Sequence, residues 1–322
     1  MTGILLLAAW MAVQSAPACA SEVWREGLLR TPGAGAIHYR LRAGEGEGVL
    51  LVHGRSFGSE AFSLWEGLLP GRPLMILDRR GYAPSQGWAE PLGERNRADV
   101  ARALSFLRSV SGSKKAAVVV FSMGARFLPE LDPEVVSWVA MINPSGPPLA
   151  GYLDARGQAA AESLREGYER TRFWLPFARE AWIASAAWSI ASDARERLAR
   201  QGGDSPAASA MLAGLDGRSL LAGFRGALVR ETLFALHDDS WRVPEGTIPV
   251  LLAFGAPDEL IPSAAYREAA KRLARGRAFL RVVELNGGHL APLLDPGAIL
   301  DELERFDSQA EKGAGHQVAI MR

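Results

Sequence analysis

The chain predicts an α/β fold: a mostly parallel, doubly wound sheet with an inserted helical cap. Three observations carry this. Short, unbroken runs of aliphatic and β-branched residues recur along the sequence, as expected of strands buried on both faces. Amphipathic helical patterns alternate with them, which places helices on both sides of the sheet. The alternation stops once, between about Gly151 and Trp241, where only helical patterns occur.

The first two strands are expected at Val23–Leu29 and Ala36–Leu41, joined by the turn Pro32-Gly33-Ala34-Gly35. Six apolar runs follow: Val49–Val52, Leu74–Leu77, Ala116–Phe121, Ser137–Ile142, Val250–Phe254 and Leu280–Leu285. Helical periodicity is expected over Glu60–Leu69, Arg95–Ser109, Met123–Leu131, Ala264–Arg275 and Pro296–Phe306. Within the insertion, Ile183, Ala187, Ile190, Ala194 and Leu198 mark one helix face, and Leu221, Phe224 and Leu228 another. Its tryptophans, Trp174, Trp182, Trp188 and Trp241, are expected to pack the insertion onto itself. The predicted organisation is a first core part over 21–150, the cap over 151–241, a second core part over 242–307, and a polar, flexible tail over 308–322.

At 322 residues, with 48% hydrophobic and 22% charged residues, the chain is long enough for one large domain with an insertion. Its formal net charge is zero and no long run of one sign occurs, which argues against a nucleic-acid partner. Arginine far exceeds lysine, which stands only at Lys114, Lys115, Lys271 and Lys312. Residues 1–20 read as a signal peptide: an apolar core from Ile4 to Val13, then Ala18-Cys19-Ala20 at a cleavage-site pattern. That run is too short to span a bilayer. A periplasmic or secreted protein is therefore expected, starting at Ser21, or lipid-anchored if cleavage falls before Cys19. Cys19 is the single cysteine, so neither a cysteine nucleophile nor a cysteine-based metal site is expected, and no cofactor is implied.

Three short segments each follow a predicted strand: Phe121-Ser122-Met123-Gly124, Gly255-Ala256-Pro257-Asp258 and Gly287-Gly288-His289. A serine hydroxyl needs a neighbouring base and an oriented imidazole to become a nucleophile. Ser122, Asp258 and His289 supply those groups, with Glu259 the nearest rival acid. A strand–turn–helix at Ser122 would lift its hydroxyl out of the sheet.

The order Ser, Asp, His resembles the triad order of the α/β-hydrolase superfamily, and the resemblance covers most of residues 23–306. It is to the serine-nucleophile members with a helical cap; Asp-nucleophile dehalogenases and epoxide hydrolases are disfavoured by Ser122. His53-Gly54-Arg55-Ser56 is similar to the family's His-Gly turn, which implies an oxyanion hole from the N–H of Met123 and of Arg55 or Ser56, with His53 structural. Asp78-Arg79-Arg80-Gly81-Tyr82-Ala83-Pro84-Ser85 resembles the family's D-x-R-G-x-G-x-S turn, with Ala83 in place of one glycine. The elbow departs from G-x-S-x-G at Val120, where a side chain should crowd the following helix and open its packing, helped by the small Ala125.

The expected function is that of a serine hydrolase cleaving a small or medium ester through an acyl-enzyme on Ser122. Two other readings stay open. A peptidase or amidase of the same fold would need an acidic subsite, for which Glu162, Glu166 and Glu169 are candidates. A catalytically silent ligand binder is the other, with Val120 its main support.

Overall fold

The aliphatic runs become strands because each buries side chains on two faces at once. A computed structural model describes residues 24–31, 35–82, 84–85, 91–242, 244, 246–275, 277, 279–311 and 317–321. The expected signal segment with Cys19, Val23, most of the Pro32–Gly35 turn and Ala83 lie outside these. Among the described residues, nine strands form one sheet: β1 (Trp24–Thr31), β2 (Gly35–Arg42), β3 (Gly48–Val52), β4 (Leu74–Leu77), β5 (Ala116–Phe121), β6 (Val136–Ile142), β7 (Val250–Ala256), β8 (Phe279–Asn286) and β9 (Gln317–Met321). Their order is β1-β2-β4-β3-β5-β6-β7-β8-β9. β1–β2 and β2–β4 pair antiparallel, and the remaining neighbours are parallel. Every residue of β3, β4 and β5 is buried. Each such aliphatic side chain contributes about 1.5–3 kcal/mol on leaving water.

Helix α1 (Leu92–Ser111) packs a face of Val100, Ala103, Leu104 and Leu107 against the sheet and ends on Gly112, whose φ of 67° is the usual left-handed stop. Two expected helices are shorter than their patterns. Glu60–Leu69 forms a 3-10 segment over Ser59–Trp65, and Leu69, at φ 45° before Pro70 and Gly71, ends any continuation. Met123–Leu131 forms a 3-10 turn over Ser122–Phe127. Pro129 explains the stop: it disfavours helical geometry at Leu128, which is extended at ψ 127°.

Four helices lie between β6 and β7: α2 (Ala155–Arg170), α3 (Pro176–Gly202), α4 (Pro206–Ser219) and α5 (Ala222–His237). Asp154 and Ser205 cap α2 and α4 by accepting the N–H groups of Gly157 and Ala208. Ile183, Ala187 and Leu198 of α3 and Phe224 and Leu228 of α5 are buried as predicted. The tryptophans divide. Trp241 is buried and Trp182 packs on Tyr168, whereas Trp174 and Trp188 are exposed. Beyond β7 come α6 (Ser263–Ala274), α7 (Ala291–Leu294) and α8 (Gly297–Glu311). The expected flexible tail is corrected here: residues 308–311 continue α8, and Gln317–Met321 is β9. β9 pairs in parallel with Phe279–Val283, covering an edge of β8 that would otherwise offer unpaired backbone groups.

A buried ion pair ties the helical segment to the sheet. Arg79, just after β4, donates to both carboxylate oxygens of Glu231 on α5, and the Tyr82 hydroxyl donates to Glu231 as well. Arg79 and Glu231 are almost completely shielded from solvent. Burial opposes the Arg79 charge, but Glu231 outweighs it and raises the guanidinium's pKa. Removing one partner of such a pair strands the other in a medium that cannot solvate it. Glu231→Gln should therefore destabilise the protein by about 3 kcal/mol or more in urea unfolding. A loss below about 1 kcal/mol would mean that the pair is not buried in solution.

Candidate active site

Ser122 sits where β5 turns into the 3-10 segment, with φ 50°. Holding a non-glycine residue in that region costs about 1–3 kcal/mol, and packing on both sides must enforce it. The enforcement is visible. A Cβ on Gly124 would stand 2.7 Å from the carbonyl oxygen of Val52, and one on Gly54 would stand 2.9 Å from Phe121 Cδ1 and Ser122 Cβ. The Ser122 carbonyl accepts the N–H of Ser145 at 2.9 Å. Val120 is fully buried and shares its core with Val52, Met123, Ala125 and Phe127. A valine therefore fits two residues before the serine, ahead of a short 3-10 turn rather than a long helix.

Ser122, Asp258 and His289 come together from three loops at the ends of parallel strands. His289 Nε2 lies 2.9 Å from Ser122 Oγ, and His289 Nδ1 lies 2.8 Å from Asp258 Oδ2. Asp258 is saturated with donors. Its Oδ1 accepts the N–H groups of Leu260 at 2.7 Å and Ile261 at 2.9 Å, and its Oδ2 also accepts the Tyr266 hydroxyl. Burial pushes the Asp258 carboxyl up, but His289, Tyr266 and the Ile261 N–H outweigh it and hold it below the usual carboxylate range. An ionised Asp258 accepts only, so Nδ1 of His289 carries the proton and Nε2 faces the serine as an acceptor. Burial first, and the Asp258 charge next, push the Tyr266 phenol well above its ordinary value, so it remains a donor. Glu259, the rival acid, accepts from Gln201 instead.

Asn143 joins the loops. It is fully buried at φ 44°, donates to the His289 carbonyl at 2.6 Å and accepts the Gly255 N–H at 2.6 Å. Neither Asn143 nor Tyr266 lies in a segment that the sequence marks as chemical. The signal for Asn143 is its place one residue after a buried strand; Tyr266 carries none beyond its buried helix face.

Of the expected oxyanion donors, Ser56 is corrected. Its N–H donates to the Tyr82 hydroxyl at 3.1 Å, and its own φ of 76° turns the chain there. The N–H groups of Arg55 and Met123 remain as candidates. His53 is structural: Nδ1 bonds the Gly54 carbonyl at 2.8 Å and Nε2 accepts the Arg79 N–H at 3.0 Å. Complete burial, then the Arg79 charge, keep it neutral.

A cavity of about 740 Å³ opens on Ser122 and His289. α2 and α3 supply part of its wall through Arg156, Ala160, Ser189 and Ile190, and Leu149, Leu153, Leu236 and Ile261 give it an apolar lining. A small recess of about 40 Å³ beside Phe57, Phe121 and Leu290 opens on the same two residues. Glu162, Glu166 and Glu169 do not line either space. They pair with Arg165 and Arg170 along the exposed face of α2.

The fold is shared with solved structures of low sequence identity. A haloalkane dehalogenase from Agrobacterium tumefaciens C58 is 17% identical with a TM-score of 0.62, covering 90% of this chain and 97% of its own. A hydrolase from Pseudomonas aeruginosa PA01 is 19% identical with a TM-score of 0.58, covering 88% and 98%. A thermophilic esterase from Thermogutta terrifontis is 20% identical with a TM-score of 0.55, covering 89% and 99%. No curated protein matches the chain. The family model of the alpha/beta hydrolase family matches residues 49–302, a span that holds the sheet from β3 to β8, the helical insertion and all three of Ser122, Asp258 and His289; the chain belongs to that family.

Proposed function

We propose that the protein is a serine hydrolase that cleaves a small or medium carboxylic ester through an acyl-enzyme on Ser122. The observation that carries this reading is the continuous chain of hydrogen bonds from Asp258 through His289 to Ser122 Oγ. His289 takes the Ser122 proton as the hydroxyl attacks the ester carbonyl, and then delivers it to the leaving alcohol. Asp258 holds the tautomer and stabilises the imidazolium. The N–H groups of Met123 and Arg55 receive the developing oxyanion. Water, activated by His289, then releases the acid. A cavity of about 740 Å³ with an apolar lining suits an ester of that size. An amine-recognising peptidase is less well supported, because the glutamates of α2 do not line this space and the acids that do, Asp193 and Glu259, are matched by Arg197 and Gln201. The dehalogenase and esterase of the same fold act on different substrates, so fold alone does not choose between them.

Ser122→Ala should lower kcat on p-nitrophenyl butyrate by about three orders of magnitude or more while the folded state persists. Turnover close to that of the wild type would end this reading.

Tyr266 acts as a positioning residue through Asp258. Tyr266→Phe should lower kcat by about tenfold through a looser carboxylate. KM should change little, because the phenol meets Asp258 and does not line the cavity. An unchanged kcat would leave Tyr266 only a packing role.

We also propose export, on the Ile4–Val13 run and the Ala18-Cys19-Ala20 pattern. N-terminal sequencing of the protein from its native host should read from Ser21, or find a modified Cys19. Retention of Met1 would contradict it.

A further inference from the structure

The guanidinium of Arg55, which is half-buried, is held differently from the buried arginines among the described residues. Arg79 has Glu231 and Arg80 has Asp99. Arg42, Arg126 and Arg277 are each held by two or more backbone carbonyls. Arg55 has one polar side-chain contact among the described residues: its Nη1 donates to Thr232 Oγ1 at 2.6 Å. That hydroxyl is neutral and is itself spent as a donor on the Leu228 carbonyl at 2.7 Å. No carboxylate of the described residues stands within 4.0 Å of the Arg55 guanidinium.

The nearby acids are already matched. Glu231 belongs to Arg79 and Tyr82, and Asp193 to Arg197 at 2.6 Å. Glu259 accepts from Gln201. Burial pushes the Arg55 guanidinium's pKa down, with the more distant charges of Glu231 and Asp193 opposing and that of Arg197 adding to it. Arg55 lines both the large cavity and the small recess, beside Ser122 and His289 in each. The chain thus places a positive charge without an acidic partner, anchored at one nitrogen by Thr232, in the wall of the space that opens on the nucleophile. A charge drawn partly out of water without a counter-charge costs free energy, and a ligand anion would recover part of it.

We propose that Arg55 is a specificity-determining residue that binds a carboxylate on the substrate, so that the enzyme prefers ester substrates carrying a free carboxylate. This rests on the serine-hydrolase reading above. A guanidinium presents parallel N–H donors that match a carboxylate in bidentate fashion. The anion is a single-charged one. The cavity wall holds Arg156 and Arg197 besides Arg55, with Asp193 and Glu259 against them, so one negative charge balances what is left over.

The test compares each anionic ester with its neutral isostere, normalised to hydroxide hydrolysis. One pair carries the charge on the acyl side: mono-p-nitrophenyl glutarate against its methyl ester. The other carries it on the leaving side: 4-acetoxybenzoate against its methyl ester. Wild type should favour the anionic member of at least one pair by about tenfold or more in kcat/KM. Arg55→Met should bring that ratio down towards one, and Arg55→Lys should restore part of it. Equal or better use of the neutral ester in both pairs overturns the proposal, while loss of hydrolysis in Ser122→Ala still upholds the serine-hydrolase reading. If wild type hydrolyses none of the four esters, that reading falls, and calorimetry with monomethyl glutarate decides the anion site. Binding that Arg55→Met loses supports it, and binding that is absent, or equal in the two proteins, overturns it.

Discussion

The backbone leaving β5 passes the backbone leaving β3 at a separation that only glycine allows. Gly124 lies against the carbonyls of Val52 and His53, and Gly54 lies against Phe121 and Ser122. A methyl group at either position would push the two crossings apart. Because they touch, Ser122 is forced to φ 50°, its hydroxyl leaves the sheet, and the N–H groups of Met123 and Arg55 come from adjoining segments. The geometry of the remaining site is built outward from this contact. Asn143 ties the end of β7 to the loop after β8, so that Asp258 and His289 arrive together at the serine.

The buried polar network under the helical segment is the second constraint. Glu231 accepts from Arg79 and Tyr82, and Tyr82 in turn accepts the Ser56 N–H. This chain of contacts links α5 to the turn that holds Arg55. The next residue of α5, Thr232, reaches the Arg55 side chain itself. Placement of the helical segment and placement of the cationic wall of the cavity are thus one structural event. Among the described residues nothing comparable ties α2 to the sheet; its Glu–Arg pairs stand exposed at helical spacing, where water screens them.

The strands were legible because burial on both faces writes itself as unbroken aliphatic runs; β4 and β5 match their predicted bounds. Ser122, Asp258 and His289 were legible because each follows such a run and the chemistry demands their residue types. What stayed hidden depends on contacts across long sequence separations. Glu231 reads as one more charge on a helix until Arg79, 152 residues away in sequence, is placed beside it. Tyr266 reads as a buried helix residue until Asp258 turns back onto it. Ser56 was an oxyanion candidate because its own segment does not reveal that the Tyr82 hydroxyl takes its N–H. The polar composition of the last residues suggested a free tail and carried no sign that β8 lacked a neighbour.

The central claim is that Ser122 is a nucleophile activated by His289 and Asp258. The most direct measurement is intact-mass spectrometry of the folded protein after reaction with a fluorophosphonate, followed by peptide mapping. The account predicts a single adduct, on Ser122, formed faster than on a free serine by orders of magnitude. An unmodified folded protein, or an adduct on any other residue with Ser122 untouched, would contradict it.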